Sequence, residues 1–199
     1  MNHLRYSGLP AEDQLNALKT IVRAQPHLMN VLQIARDMRL PDWWLVSGAI
    51  YNTVWNVLTD RDPLTGIKDI DLFYFDPDTA WDAEDRVIRR GADLFPPHPP
   101  IEIRNQARVH LWYKDHFGED YAPLASSCEG IDRFACKTHC VGIRLEQDDS
   151  LSLYAPYGLD DVFSFRVTPN RVLNNRATHE AKAARQLAIW PELTVVPWG

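Results

Sequence analysis

Hydrophobic residues recur at three- and four-residue spacing along much of the chain. This spacing predicts two amphipathic helices near the N-terminus, over 11–24 and 26–39. It predicts further helices over 49–58, 80–95, 105–118, 126–135, 157–165 and 175–190. In the helix predicted over 105–118 we expect Leu111 and Trp112 to face inward.

A few short runs, either apolar throughout or alternating between apolar and polar residues, are bounded by Pro, Gly or Asp. These runs predict strands at about 43–46, 69–75 and 101–104, and a hairpin whose strands cover 140–147 and 150–154. The mixture predicts one α/β (α+β) domain, with a short mixed sheet flanked by helices. We expect it to comprise three parts, namely an N-terminal helical layer (1–40), a catalytic core (41–170) and a C-terminal helix and tail (171–199).

Two acids, Asp69 and Asp71, interrupt the otherwise apolar run 69–75. Because strand side chains alternate between faces, these two share a face. Two unpaired carboxylates there repel each other and are costly to desolvate, and a cation would offset both effects. Such a pair can hold Mg²⁺ or bridge two ions. The alternative is an edge strand with one face in solvent.

A small-residue turn, Ser47-Gly48-Ala49, joins a predicted strand to a predicted helix. The free N–H groups and dipole of such a helix start suit a phosphate, and glycine lets the backbone approach a ligand closely. An ordinary tight strand-to-helix connection would have the same composition.

Further charged residues follow on the strand predicted over 101–104 and just after it. Glu102 lies between two isoleucines and could be a third metal ligand or a base for an incoming hydroxyl. Arg104 and Arg108 are four residues apart, so one helical face could present both to phosphate oxygens. The alternatives are a polar position on an alternating strand for Glu102 and a solvated helix face for the arginines.

Composition and charge narrow the class of protein. The chain has 199 residues, of which 45% are hydrophobic, which suits one domain with a proper core. A net charge of −6 is unfavourable for general nucleic-acid binding. No apolar run reaches membrane-spanning length and the first residues lack a signal-peptide core, so we expect a cytoplasmic protein without a membrane partner. Cys136, His139 and Cys140 could bind zinc, but without a second ligand pair packed thiols are favoured.

The order of these features resembles the nucleotidyltransferase superfamily that includes DNA polymerase beta, tRNA CCA-adding enzymes and antibiotic nucleotidyltransferases. Its signature is a small-residue helix start, an Asp-apolar-Asp strand and a later acid. More closely, the chain resembles a bacterial nucleotidyltransferase-like family. That resemblance is carried by SGAIYNTVWN, IKDIDLFYFD, RNQARVHLWY, APYGLDDVF, VTPN and WPELTVVPW.

The resemblance implies a polymerase-beta-like fold, NTP and Mg²⁺ (or Mn²⁺) as ligands, and transfer of a nucleoside monophosphate with release of pyrophosphate. It implies that Asp69, Asp71 and Glu102 bind the metal. The chain departs from the superfamily pattern at Ala49, at Lys68 and in the long interval between Gly48 and Asp69, so the loop 59–66 must fold away from the acids.

Several alternatives stay open. The acceptor is a small molecule, a protein hydroxyl or an RNA end, and the net charge favours the first two over RNA. The same fold could form a non-catalytic nucleotide-binding module, and clustered carboxylates also occur in phosphohydrolases. Asn105 and His110 could contact nucleotide or belong to a buried polar network, whereas Gln106 is expected to be structural. The tryptophans have core-like spacing and do not indicate a stacking platform for bases.

Overall fold

A computed structural model describes residues 2–199, and its centre is a five-stranded mixed sheet. The five strands are β1 (Trp44–Val46), β2 (Ile70–Tyr74), β3 (Ile101–Asn105), β4 (Gly142–Leu145) and β5 (Leu151–Tyr154). Their order across the sheet is β3-β2-β1-β4-β5, in which only the β2–β3 pair is parallel. Two short strands, β6 (Arg166–Val167) and β7 (Thr194–Val195), form a separate parallel pair. The predicted α/β class with a short mixed sheet is confirmed.

The helices that surround the sheet follow the predicted order. They are α1 (Ala11–Arg23), α2 (Pro26–Met38), α3 (Gly48–Thr59), α4 (Trp81–Leu94), α5 (Val109–Phe117), α6 (Ser127–Ile131), α7 (Asp160–Phe163) and α8 (Arg176–Ile189). Short 3₁₀ turns lie at Gln106–Arg108 and Lys137–His139. None of these helices, within residues 2–199, has the length and apolarity to cross a bilayer.

The two faces of β2 explain why an apolar run contains acids. Ile70, Leu72 and Tyr74 are buried in the main core, together with residues of α1, α2 and α3. Phe73 points to the opposite face, where it packs in a smaller cluster with Trp44 and other apolar residues. Asp71 alternates with Leu72 and therefore lies on the same side as Phe73. One side of the strand is thus core, and the other is available to a site.

The segment predicted as one helix over 105–118 has a different structure. β3 continues through Asn105, and α5 begins only at Val109. The reason is Asn105, whose N–H donates to the buried carboxylate of Glu84 (2.8 Å) and whose Oδ1 accepts from the Ala107 N–H (3.1 Å). The inward orientation expected of Leu111 and Trp112 was wrong, since they are 53% and 37% exposed. The helix predicted over 126–135 also ends early, at Ile131.

The long connection between α3 and β2 packs against α3 and against the residue that follows α8. Asn56 Nδ2 donates to the carbonyls of Pro63 (3.2 Å) and Thr65 (2.9 Å), and Trp190 Nε1 donates to Asn56 Oδ1 (3.1 Å). Gly66 has a φ of 73°, and a Cβ there would lie 2.3 Å from Trp190 Cη2. The connection therefore folds onto α3 and the end of α8, as the sequence requires if the acids are to stay accessible.

Candidate functional site

Three chain segments meet at one edge of the sheet. In the strand register Val46 lies opposite Asp71, and Asp71 lies opposite Glu102. Because neighbouring strands are about 4.8 Å apart and paired residues share a face, the Asp71 and Glu102 carboxylates stand side by side. The end of β1, which leads into α3, is next to them. The sheet therefore brings the helix start and two of the predicted acids together.

The electrostatics at Asp71 reflect crowding by like charges. Asp71 is half-buried, and burial followed by the negative charge of Asp69 raises its carboxyl pKa from 3.8 to about 6. Glu102 adds to this increase in pKa, whereas Lys182 and Arg104 oppose it. Asp69 itself lies just before β2 and is exposed. The site is thus short of positive charge around its central carboxylate.

The donor chemistry of this edge suits a hard divalent cation, although the predicted three-ligand set is not preformed. Within residues 2–199 no group of three or more His, Cys, Asp or Glu side chains is arranged to hold a metal ion. Glu102 Oε2 lies 3.4 Å from an Arg104 guanidinium nitrogen, and both side chains are about half exposed. Asp71 and Glu102 together provide adjacent carboxylate oxygens, the ligand type that Mg²⁺ prefers. These two fit a cation; Asp69 contributes charge from the adjacent loop.

The start of α3 has the features of an anion site. Ser47 precedes the helix with φ 57° and ψ −116°, a conformation that non-glycine residues rarely adopt, and its N–H donates to Val141 O (2.8 Å). The N–H groups of Gly48 and Ala49 have no hydrogen-bond acceptor among residues 2–199. A Cβ on Gly48 would make ordinary van der Waals contacts, at 3.6 Å with Asn52 Nδ2 and 3.8 Å with the Tyr51 hydroxyl, so the backbone there is not crowded. Ala49 is buried and supplies only its backbone.

A buried polar network supports the helix start from behind. The hydroxyl of Tyr51 accepts from Gln186 Nε2 (2.9 Å), and the Tyr51 ring stacks on His139 with centroids 4.5 Å apart. Burial raises the pKa of Tyr51 and lowers that of His139, so both are neutral near pH 7. Gln186 lies on α8, so the C-terminal helix is tied to the first turn of α3.

A cleft of about 390 Å³ opens over this face of the sheet. Its charged lining residues are Asp71, Glu102, Arg104, Arg133 and Lys182. Its aromatic lining comes from β2, α5 and the segments on either side of α6, and consists of Phe73, Trp112, Tyr113, Phe117, Tyr121 and Phe134. The cleft therefore combines cations and carboxylates with flat apolar surfaces.

The aromatic lining holds a guanidinium in a fixed position. Tyr113 and Tyr121 lie with ring centroids 4.3 Å apart, and the guanidinium of Arg133 lies 4.5 Å from the centroid of Tyr121. Arg133 also donates to Ala122 O (2.8 Å). No stacking surface was expected from the sequence because only the tryptophans were considered. The rings that line the cleft are mainly those of Tyr and Phe.

Arg108 lies outside the cleft, whereas Arg104, the other arginine predicted to contact phosphate, lines it. Its Nε is 2.8 Å from Glu84 Oε2, and the two side chains are only 11% and 5% exposed. It also donates to Thr79 O and lies over the ring of Trp81. Its shared helical face with Arg104 does not exist, because Arg104 is in β3. The environment of Arg108 is that of a structural ion pair.

The remaining polar candidates divide between structure and site. Asn105 is buried and binds the backbone of Asp76 through both side-chain groups. Gln106 is also buried but borders the cleft, where its amide occupies the space beside Gly130. His110 is half-buried, and its Nδ1 has no partner in the described part of the chain.

Cys136 and Cys140, the two cysteines considered for a zinc site, are buried in the interior. Cys136 Sγ lies 3.1 Å from His179 Nδ1, and Cys140 Sγ contacts the carbonyl of Cys136. Burial raises the pKa of both thiols to about 12, which keeps them protonated at neutral pH.

Lys182, Arg133 and the aromatic lining were not predicted from the sequence. Asn175, just before α8, and Thr178 and Lys182 on α8 border the cleft. Their spacings of three and four residues place them on one side of the helix. That spacing is visible in the sequence, but nothing local shows what the face meets.

Comparison with known proteins agrees with this geometry. An NMR structure described as revealing a CCA-adding enzyme head domain is 26% identical, has a TM-score of 0.73, and matches over 98% of this chain and 99% of that one. A crystal structure of a tRNA nucleotidyltransferase, complexed with a primer tRNA and an incoming ATP analogue, shares the fold. It is 16% identical, has a TM-score of 0.52, and matches over 83% of this chain and 46% of that one.

No curated protein sequence matches the chain. A model of the family described as nucleotidyltransferase matches residues 33–195, which include β1 to β5, the start of α3 and the whole cleft. The predicted membership is thereby confirmed: the chain belongs to the nucleotidyltransferase family.

Proposed function

We propose that this chain transfers a nucleoside monophosphate from an NTP to an acceptor, with release of pyrophosphate and with the help of a divalent cation. The observation that carries the proposal is the pairing of Asp71 with Glu102 in the register of β2 and β3, beside the free N–H groups at the start of α3. In a member of the nucleotidyltransferase family, these are the groups that a triphosphate and its counter-ion require.

Different residues of the site would bind the cation and the phosphates of the NTP. Asp71 and Glu102 would hold Mg²⁺ or Mn²⁺, and Asp69 would add negative charge beside them. When bound, the cation would neutralise charge on the phosphates. The N–H groups of Gly48 and Ala49 would donate to phosphate oxygens along the helix dipole. Arg104 would exchange its long contact with Glu102 for a phosphate oxygen.

The chemical step is a substitution at the α-phosphorus of the NTP. An acceptor oxygen forms a bond to that phosphorus, the bond to the bridging oxygen breaks, and pyrophosphate leaves with the electron pair. We assign the acceptor's proton to Glu102, because its side chain is 46% exposed and an acceptor hydroxyl can reach it. Placement and electrostatics would provide most of the rate enhancement.

For the acceptor, we give RNA ends the same standing as small molecules and protein hydroxyls. The 26%-identical structure, described as a CCA-adding enzyme head domain, gives no support to ranking RNA lower. Tyr113, Tyr121 and Arg133 offer a surface on which a base could stack, whether it belongs to the NTP or to a strand end.

The test is a transfer assay with matched variants. Wild type, Asp71→Asn, Glu102→Gln and the exposed control Asp93→Asn are incubated with Mg²⁺ or Mn²⁺ and each NTP labelled at the α-phosphate. The acceptors supplied are RNAs with a 3′-hydroxyl and fractionated cell extract. We expect label on an acceptor and pyrophosphate release, both at least about 100-fold slower in Asp71→Asn and unchanged in Asp93→Asn.

Two results would contradict the proposal. Saturable NTP binding without turnover, with every acceptor fraction, would make the chain a nucleotide-binding module. Release of inorganic phosphate without an acceptor would make it a hydrolase.

A further inference from the structure

We propose that Lys182 on α8 binds the triphosphate of the NTP, so that the C-terminal helix completes the nucleotide site. This inference rests on the proposed function and specifies its substrate contacts. It concerns a helix outside the predicted catalytic core, and a residue that the signature motifs do not include.

The first support is the placement of Lys182. Lys182 and Thr178 on α8, with Asn175 just before the helix, border the cleft, and the same cleft is bordered by Asp71 and Arg104. On the adjoining face of α8, His179, Ala183 and Gln186 are buried in the protein interior. Because that buried face fixes the rotation of the helix, Lys182 is held facing the acids.

The second support is that Lys182 has no counter-ion. It is half-buried, yet its Nζ forms no salt bridge with any carboxylate of residues 2–199. Lys182 Nζ instead lies over the ring of Phe134, 5.8 Å from the ring centroid. By contrast Arg176, on the same helix, pairs with Glu180 at 2.7 Å. A partly desolvated ammonium without a partner is costly, and an anion entering the cleft would remove that cost.

The third support is the relation of Lys182 to Asp71. The two side chains border the same cleft, but no salt bridge joins them within residues 2–199. If the role of Lys182 were only to neutralise Asp71, a direct ion pair would serve better. A phosphate group fits between Lys182 and Asp71. It would accept a hydrogen bond from the ammonium of Lys182 and ligate the metal ion that Asp71 would hold. Arg104 and the start of α3 provide donors from two other elements around the same carboxylate.

A binding experiment distinguishes a triphosphate contact from a packing role. Wild type, Lys182→Met, Lys182→Arg and Lys182→Gln are titrated by calorimetry, with Mg²⁺ present, against each NTP, the matching nucleoside monophosphates and pyrophosphate. Arg185→Met, which removes a positive charge from an exposed position on the same helix, is the control. Thermal melts confirm that each variant is folded.

We expect Lys182→Met and Lys182→Gln to weaken NTP and pyrophosphate binding by about 10- to 100-fold, the loss typical of one charge-assisted contact. Nucleoside monophosphates should lose less than about threefold, because they lack the β- and γ-phosphates. Lys182→Arg should stay within about fivefold of wild type and Arg185→Met should be unchanged.

Equal losses for NTP and monophosphate, or no loss for either, would overturn the assignment of Lys182. A wild type that binds NTP and needs Lys182 to do so, but transfers nothing, would refute the proposed function and leave this inference intact. A wild type that binds neither NTP nor pyrophosphate would overturn both.

Discussion

Replacing Asp71 with Asn is expected to stabilise the metal-free protein at neutral and alkaline pH, although it removes a residue of the proposed site. Asp71 is half-buried between the charges of Asp69 and Glu102, and its pKa is raised to about 6. Asparagine has nearly the same shape and no charge, so the substitution removes repulsion without leaving a cavity. The free energy of unfolding should therefore increase.

The size of the effect and its pH dependence follow from the two pKa values. Below pH 3.8 the Asp71 carboxyl is protonated in both states; as the pH rises through about 6, the unfolded chain loses the proton first and stability is lost. A difference of about 2 in pKa corresponds to about 3 kcal/mol. Because Asp71 is only half-buried, we expect about 1–3 kcal/mol, or about 2–12 °C in Tm for a domain of this size.

The assay is urea unfolding of wild type and Asp71→Asn at pH 4 and pH 8 in EDTA, with Asp93→Asn as the exposed control. At pH 8 Asp71→Asn should be more stable than wild type by the amount above, and at pH 4 the difference should fall below about 1 kcal/mol. Adding Mg²⁺ at pH 8 should stabilise wild type and narrow the difference. A variant no more stable than wild type at pH 8, or a difference independent of pH, would refute the reasoning.

Three further variants test other parts of the structure. Glu84→Ala should lower the free energy of unfolding by about 3–5 kcal/mol, because it leaves Arg108 as an unpaired buried cation, and a loss below about 1 kcal/mol would contradict this. Gly48→Ala should change stability by less than about 1 kcal/mol, since a Cβ there would make only ordinary van der Waals contacts, yet weaken NTP binding about tenfold or more in calorimetry. Tyr51→Phe should cost about 0.5–1.5 kcal/mol in urea unfolding, because Gln186 Nε2 loses the Tyr51 hydroxyl and keeps only His139 Nε2 as a partner.

A second substitution, Arg108→Met, is the control for Glu84→Ala. If the pair is structural, Glu84→Ala/Arg108→Met should be more stable than Glu84→Ala alone, because the unpaired charge is gone. If Arg108→Met instead weakens NTP binding at unchanged stability, the phosphate contact predicted from the sequence is correct.

The parts of the site that were predictable are those encoded locally. Alternation places Asp71 on the face opposite Leu72, and Ser47-Gly48 marks a strand that turns directly into a helix. The adjacency of Asp71 and Glu102 is a different matter. It depends on β3 pairing in parallel with β2 through the crossover helix α4, and the register of that pairing is set by packing rather than by either strand alone.

The misplacement of Arg108 shows how a distant residue overrides a local pattern. A spacing of four residues from Arg104 suggested a common helical face. The strand persists through Asn105 because the carboxylate of Glu84, on α4, accepts from its N–H, and the same carboxylate then captures Arg108. Glu84, a buried acid 21 residues before Asn105, is therefore the reason that the predicted helix does not include Asn105 and that Arg108 lies outside the cleft.

The charge that a ligand meets in the cleft also depends on the fold. The net value of −6 averages over the whole surface, whereas a phosphate senses the charges within about a Debye length. In the cleft, Arg104, Arg133 and Lys182 come from β3, from the segment after α6 and from α8, and only the fold places them together. They oppose the carboxylates that a bound cation would further neutralise. A triphosphate or an RNA end would therefore meet a local balance of positive and negative charge that the net charge does not describe. The net charge of −6 is thus no reason to rank an RNA acceptor below a small molecule or a protein.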